Sequence, residues 1–211
     1  MAIHFHEPKA TFIHIPKTGG SSFEKWVYDN VDNFDRKEKH CNITKAKEFW
    51  NNLGFTFAIV RNPFARYVSM YNFIGQRAEH RIERRAKGLK VKKGTNQDTD
   101  IEIVNLYHKG FDYWINCMYN GDKEFIDIPN GDWSRIDPQY NWIEDNVDFL
   151  MKTETLNKDF KKIKDMFKID IELPHINRSK HKNYKEYYNQ ETKHIVEKIS
   201  AIDLEKFNYE F

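Results

Sequence analysis

The residues of this chain best suited to chemistry are a lysine, a pair of glycines and a pair of serines that follow a short apolar run. Thr11 to Ile15 has the character of a buried strand, and Pro16 would end its hydrogen-bonded ladder. Lys17 carries a full positive charge, while Gly19 and Gly20 let the backbone turn tightly and approach a bulky anion. This order predicts an anion-binding loop, the Lys17 loop, which consists of Lys17, Thr18, Gly19, Gly20, Ser21 and Ser22.

A helix is expected directly after the Lys17 loop. Ser21 or Ser22 is the predicted N-cap, and the apolar face of the helix would consist of Phe23, Trp26, Val27 and Val31. The N-terminus of this helix would bring unpaired N–H groups and the positive end of the helix dipole to the anion. The loop differs from the P-loop of nucleotide triphosphatases, which ends in Gly-Lys-Ser/Thr, because Lys17 precedes both glycines.

A second candidate anion site follows the predicted strand Phe55 to Val60. Arg61 leaves the strand end with a planar guanidinium that suits two phosphate oxygens, and Pro63 stands at the first position of the next helix. Ser69, about two turns into that helix, would present its hydroxyl to the same anion. The alternative is that Arg61 and Arg66 pair with carboxylates on the surface.

Together the two motifs resemble those of the sulfotransferases. Ile15-Pro-Lys-Thr-Gly-Gly-Ser-Ser22 resembles their 5'-phosphosulfate loop, and Val60-Arg-Asn-Pro-Phe-Ala-Arg-Tyr-Val-Ser-Met-Tyr71 resembles their 3'-phosphate motif. The likeness is closest to carbohydrate sulfotransferases of the type that includes heparan sulfate 2-O-sulfotransferase. A less specific likeness continues through residues 138–140, 149–156 and 203–211.

The resemblance implies an enzyme that transfers a sulfuryl group from 3'-phosphoadenosine 5'-phosphosulfate to a hydroxyl of a carbohydrate acceptor. It also implies a P-loop-like three-layer α/β fold with a mainly parallel sheet flanked by helices, which the alternation of predicted strands and helices favours as well. By carry-over, residues 17–22 would hold the 5'-phosphosulfate, and Lys17 would stabilise the leaving phosphate. Arg61 and Ser69 would hold the 3'-phosphate, and the loop 177–181 would close over the nucleotide.

A hydroxyl acceptor also needs a base to take its proton. Our candidate is His40, which lies between the two motifs, where related carbohydrate enzymes often carry a histidine. An unperturbed imidazole suits proton transfer near neutral pH. Glu24 on the first helix is the alternative, because many sulfotransferases use a glutamate. His14, within the apolar run, is expected to be a core histidine rather than a base.

The composition favours one domain over residues 1–211 and restricts the partners. The chain has 34 Lys and Arg against 32 Asp and Glu, so its net charge of +2 predicts no general attraction to nucleic acid or membranes. Apolar runs of about 20 residues and a signal-peptide pattern are both missing, which leads us to expect a cytoplasmic protein without a transmembrane anchor. Cys41 and Cys117 stand outside any zinc-binding spacing, and no metal is expected.

Two further segments have simple predictions. The N-terminal residues, which include His4 and His6, are expected to be frayed. Residues 77–93 are strongly basic, which indicates either a solvated helix and loop or a rim that attracts an anionic glycan acceptor.

Two other functions are compatible with a strand, glycine loop and helix. A nucleotide or small-molecule kinase would need Gly-Lys-Ser/Thr and an acid at a strand end for magnesium, and neither is found. A non-catalytic module would keep the nucleotide site and hold an anionic partner without transfer. The identity of the acceptor and the oligomeric state stay open at this point.

Overall fold

The computed structural model describes residues 2–37, 41–91, 96–121, 137–174, 176 and 181–211. The chain divides into two compact units. The first unit comprises Met1–Asn62, Pro138–Arg178 and Ile202–Glu210, and the second comprises Pro63–Asp137, Ser179–Ala201 and Phe211. Across the described residues, no helix has both the length and the apolar character that a membrane crossing requires.

The first unit contains a five-stranded sheet in the order β3-β1-β2-β4-β5. Its strands are β1 (Ala2–Phe5), β2 (Ala10–Ile13), β3 (Phe34–Lys37), β4 (Phe55–Val60) and β5 (Phe149–Lys152). β2, β4 and β5 are parallel to one another, whereas β1 runs antiparallel to both β2 and β3. The predicted α/β fold is confirmed, and the sheet is mixed because β1 and β3 extend the parallel part on one side.

The expectation that the N-terminal residues are frayed is wrong. β1 lies inside the sheet between β3 and β2, and all four of its residues are buried. His4 Nδ1 lies 2.8 Å from the hydroxyl of Thr11, which itself donates to the carbonyl of Leu53 at 2.6 Å. Burial, together with the nearby charges of His6 and Lys9, lowers the pKa of His4. His4 is therefore part of the packed sheet.

The helices of the two units are numbered here in chain order. They are α1 (Gly20–Asn30), α2 (Ile43–Phe49), α3 (Pro63–Ala86), α4 (Gln97–His108), α5 (Phe111–Asn120), α6 (Tyr140–Ile143), α7 (Leu156–Phe167), α8 (Gln190–Ile199) and α9 (Ala201–Phe207). Short 3-10 turns cover Thr153–Thr155 and Tyr184–Tyr187.

The strands of the first unit place successive apolar side chains on opposite faces of the sheet, as the two-residue period of a strand requires. On one face the core cluster joins Phe12 and Phe57 to α1 and α7, through side chains that include Phe23, Trp26 and Phe160. On the other face a second cluster joins Ile13 and Ala58 to α2, α6 and α9, through side chains that include Ile43, Ile143 and Phe207. The first unit thus has three layers.

The second unit is helical and is built around α3. The side chain of Tyr71 on α3 packs against Tyr107 on α4 and Trp114 on α5, with ring centroids 4.7 and 5.8 Å apart. α4 approaches α3 closely at Gly75, where an added Cβ would lie 2.2 Å from the Tyr107 ring. Close packing of α4 on α3 therefore depends on glycine at position 75.

Candidate active site

The carboxyl ends of three neighbouring parallel strands meet at one edge of the first unit's sheet. β2 pairs with β4, and β4 pairs with β5, in parallel register. The Lys17 loop follows β2, Arg61 follows β4 and Thr153 follows β5. In open α/β sheets, ligands bind outside the carboxyl ends of the strands. This edge is therefore the candidate active site.

The backbone of the Lys17 loop is held in a tight turn. Lys17 and Gly19 both adopt left-handed conformations, with φ of 69° and 95°. The left-handed region is uncommon for a residue with a side chain, and such residues cluster at functional sites. The Thr18 side chain is fully buried and its hydroxyl donates to the Ile15 carbonyl at 2.9 Å. The Thr18 side chain stabilises the turn, so of this residue only the backbone N–H suits anion binding.

The helix after the loop begins earlier than predicted. α1 starts at Gly20 with Gly19 at the N-cap position, and neither Ser21 nor Ser22 is the cap. The N–H of Ser22 donates to the Gly19 carbonyl at 3.0 Å, so it is used within the first turn. N–H groups in the first turn of a helix have no intrahelical i−4 partner, and they lie at the positive end of the helix dipole. The helix end is therefore suited to an anion, as the sequence predicted.

His14 and Glu24 lie beside the Lys17 loop and contact each other. His14 Nδ1 is 2.6 Å from Glu24 Oε1, and the two side chains are 16% and 20% exposed. The imidazole also occupies the space next to Gly20, because an added Cβ there would lie 2.3 Å from His14 Cδ2. Gly20 is thus required for packing of His14 as well as for a compact turn. Glu24, the alternative base, is already hydrogen-bonded to a histidine.

Arg61 lies against the Lys17 loop. Its Nη1 atom donates to the Lys17 carbonyl at 3.3 Å. The Arg61 backbone is fixed by Gln139, whose Oε1 accepts from Arg61 N and whose Nε2 donates to Arg61 O, both at 2.8 Å. Asp203 in turn accepts from Gln139 N at 2.8 Å. Because Gln139 and Asp203 are completely buried, they position Arg61 rather than face a ligand.

Glu154 connects the end of β4 to the C-terminal segment. Its Oε1 accepts from the backbone N–H of Asn62 at 2.8 Å, and its Oε2 accepts from the hydroxyl of Tyr209 at 2.8 Å. Burial raises the pKa of Tyr209 far above its ordinary value, and the charge of Glu154 adds to the shift. The phenol therefore remains a neutral donor that stabilises the Glu154 carboxylate.

Ser69 and Arg66 belong to the second unit. Both lie on α3, which begins at Pro63 as predicted, and both are buried, with 4% and 0% exposure. Arg66 Nη1 donates to the Asp137 carbonyl at 2.9 Å. The alternative of a surface ion pair is therefore wrong for Arg66.

The basic segment is a continuation of α3 rather than a separate loop as far as Ala86. Arg81 and Arg85 both hydrogen-bond to the carboxylate of Asp100, whose side chain is 1% exposed. Burial alone would raise the pKa of Asp100, but the hydrogen bonds from the two guanidinium groups outweigh it and hold the pKa below its usual value. Part of the basic segment is therefore structural.

Several predicted features lie outside the described residues. They are His40, residues 92 and 93 of the basic segment, and residues 177–180 of the predicted closing loop. The positioning roles of Gln139 and Thr153, in contrast, were not predicted, although both residues lie in the stretches of less specific likeness to the sulfotransferases. The short apolar run Phe149–Met151 before Thr153 is the local sequence signal of a strand end at this point.

Together these features define a P-loop-like α/β protein in which a glycine turn leads from a parallel strand into a helix. The chain belongs to the sulfotransferase family, because the model of that family matches residues 2–210. It is therefore an enzyme that transfers a sulfuryl group, and this family generally uses 3'-phosphoadenosine 5'-phosphosulfate as the donor. Comparisons with curated proteins and with solved structures gave no match.

Proposed function

We propose that this sulfotransferase moves the sulfuryl group of 3'-phosphoadenosine 5'-phosphosulfate to a hydroxyl of a carbohydrate, in the manner of the heparan sulfate 2-O-sulfotransferase type. The observation that carries the proposal is the 3.3 Å contact between Arg61 Nη1 and the Lys17 carbonyl. It puts two cationic turns side by side at one edge of the sheet. A nucleotide with a 5'-phosphosulfate and a 3'-phosphate has two anionic ends that match two such turns.

The proposed roles follow from the chemistry of each residue. The Lys17 ammonium and the N–H groups at the start of α1 hold the 5'-phosphosulfate. Arg61 and Ser69 hold the 3'-phosphate, and the role of Ser69 is supported by its place in the motif. The proposed donor site needs no metal, because these groups supply the positive charge. We propose that residues 1–211 act as one functional domain.

Sulfuryl transfer resembles phosphoryl transfer in that negative charge grows on the leaving oxygen as the acceptor attacks in line. Lys17 is suited to stabilise this charge because its backbone is already held in the turn, so little reorganisation is needed during the reaction. We assign His40 as the base that takes the acceptor proton, on the strength of its position between the two motifs. Glu24 remains the alternative base, in contact with His14.

We propose an anionic glycan as the acceptor because the chain carries a basic segment on and after α3. Arg81 and Arg85 are committed to Asp100, so long-range attraction would come from the other basic residues of the segment. If these residues attract the acceptor, its affinity should fall steeply with added salt, while the affinity for the donor should change less. Equal salt dependence of the two affinities would argue against this acceptor class.

The test begins with calorimetric titration of the whole chain with 3'-phosphoadenosine 5'-phosphate and, separately, with ATP and magnesium. We expect tight binding of the first nucleotide only. Transfer is then measured with donor carrying radiolabelled sulfate, against a panel of hydroxyl and amine acceptors. Preference for ATP and magnesium would indicate a kinase, and tight nucleotide binding without transfer to any acceptor would indicate a non-catalytic module.

Variants assign the roles. Lys17→Ala should lower turnover by about two to three orders of magnitude, as loss of one oxyanion donor does. Lys25→Ala is the matched control, because Lys25 is an exposed lysine of α1 that pairs with Asp29. Near-normal turnover of Lys17→Ala at saturating donor would remove Lys17 from the mechanism.

His40→Ala should keep donor binding and lose transfer, and an unchanged rate would exclude His40 as the base.

A further inference from the structure

Thr153, the first residue of the 3-10 turn after β5, contacts the backbone of both anion-binding turns. Its hydroxyl oxygen lies 2.6 Å from the carbonyl of Thr18 and 3.1 Å from the carbonyl of Val60. Thr18 belongs to the Lys17 loop, and Val60 directly precedes Arg61. One hydroxyl has one proton, so it is shared between the two carbonyls and links the turns.

The Thr153 side chain also packs beneath the Lys17 loop. An added Cβ at Gly19 would lie 4.0 Å from the Thr153 methyl and 3.5 Å from Leu156 Cδ2, which are ordinary contact distances. The segment after β5 therefore supports the loop at Gly19 while the hydroxyl fixes its carbonyl. The Arg61 backbone is held by Gln139, so both turns have a fixed support in the first unit.

We infer that Thr153 is a positioning residue that sets the separation between the 5' and 3' halves of the donor site. The inference rests on the proposed function, because it assumes that Lys17 and Arg61 bind opposite ends of one nucleotide. A ligand that must contact two turns at once binds best when the spacing of the turns is fixed in the free protein. The binding free energy is then not reduced by the cost of ordering the turns. A ligand that engages only the Lys17 loop gains much less from that spacing.

The first test uses the chain without nucleotide. Thr153→Val keeps the shape of the side chain and removes the hydroxyl, and Thr153→Ser keeps the hydroxyl and removes the methyl. The matched control is Thr155→Val, because Thr155 belongs to the same 3-10 turn but its hydroxyl donates to Asp159 of α7. Amide hydrogen exchange of peptides covering residues 14–22 and 58–64 should rise about tenfold in Thr153→Val, the size expected for one lost hydrogen bond.

Exchange in Thr153→Ser and Thr155→Val should stay within about twofold of the parent chain. The inference is overturned if Thr153→Val leaves exchange unchanged in either peptide, because the hydroxyl would then not link the two turns. It is also overturned if Thr155→Val raises exchange equally, since the effect would then belong to the 3-10 turn as a whole.

The second test is calorimetric binding of 3'-phosphoadenosine 5'-phosphate and of adenosine 5'-phosphate. Thr153→Val should weaken the first nucleotide about tenfold and the second by less than about twofold, with Thr153→Ser restoring parent affinity. Equal weakening of both nucleotides would overturn the inference, because a general loss of structure has that effect. If the parent chain binds neither nucleotide, the proposed function fails, and the exchange result reports separately on the link between the turns.

Discussion

We predict that the ion pairs of Asp100 on α4 with two arginines of α3 stabilise the packing of these helices. Its carboxylate is 1% exposed and pairs with Arg81 and Arg85, which are 16% and 18% exposed. Removing one partner from a buried ion pair costs about 3–5 kcal/mol, because the remaining charge is left uncompensated. Since the two guanidinium groups retain some contact with water, we expect Asp100→Asn to cost about 2–3 kcal/mol, which is less than for a fully buried pair.

A loss of this size should lower the melting temperature by about 5–10 °C, which circular dichroism of the helical signal measures. Asp98→Asn is the control, because Asp98 is an exposed acid in the same first turn of α4, and it should cost less than about 1 kcal/mol. The reasoning is refuted if the two variants lose the same stability.

The pH dependence provides a second check on the same residue. The pKa of Asp100 is lower in the folded chain than in the unfolded chain, so its ionised form stabilises the fold. That contribution is complete above the unfolded pKa of about 3.9 and is lost as pH falls through the lower folded value. The stability difference between the parent chain and Asp100→Asn should therefore be constant above about pH 5 and should shrink in acid. A difference that grows in acid would contradict the assignment.

Two further predictions concern the candidate site. Gly20→Ala should lower the free energy of unfolding in urea by about 1–3 kcal/mol, because the new Cβ would lie 2.3 Å from His14 Cδ2. Adding His14→Ala should recover most of this loss. If the double variant recovers nothing, the strain does not come from His14. Gln139→Leu should cost about 3 kcal/mol and weaken 3'-phosphoadenosine 5'-phosphate binding, because the partly buried N–H and carbonyl of Arg61 both lose their partner. Stability and affinity equal to those of the parent would show that Gln139 does not hold Arg61.

The parallel part of the fold could be predicted because its signals are local. β4 has the predicted bounds Phe55–Val60, β5 covers Phe149–Lys152, and α3 begins at Pro63. Apolar runs, a proline at the first helical position and a regular apolar face all lie within one segment of the chain. A single sequence is enough to find such elements.

β1 and β3 were not predicted because their own residues give weak strand signals and because the pairing of β3 with β1 joins distant parts of the chain. β1 contains a histidine whose burial depends on its contacts with Thr11 and Trp50. β3 reads Phe-Asp-Arg-Lys and forms the edge of the sheet, with three of its four residues exposed. β3 has neither the alternating nor the continuous apolar pattern of a strand, and the alternation of Ile3 and Phe5 with histidines in β1 is too short to be distinctive.

The candidate site likewise contains residues that local sequence patterns reveal and residues that they do not. Lys17 and Arg61 were found because charged groups next to turn residues are visible in the sequence, and the structure brings them into contact. Gln139 and Thr153 act through hydrogen bonds to backbone carbonyls and N–H groups that belong to distant parts of the chain. Such a role depends on where the backbone goes, which no local pattern reveals.

The central place of β4 between two parallel neighbours matters for anyone who wishes to re-engineer donor preference. The segments that follow both neighbours contact the end of β4. The Thr153 hydroxyl donates to the Val60 carbonyl, and the Lys17 carbonyl accepts from the Arg61 side chain. A chimera that takes only one of these strand ends from another sulfotransferase would lose the hydrogen bonds that join it to the other two. The practical unit of exchange is the trio of strand ends, transplanted together with Gln139 and its anchor Asp203.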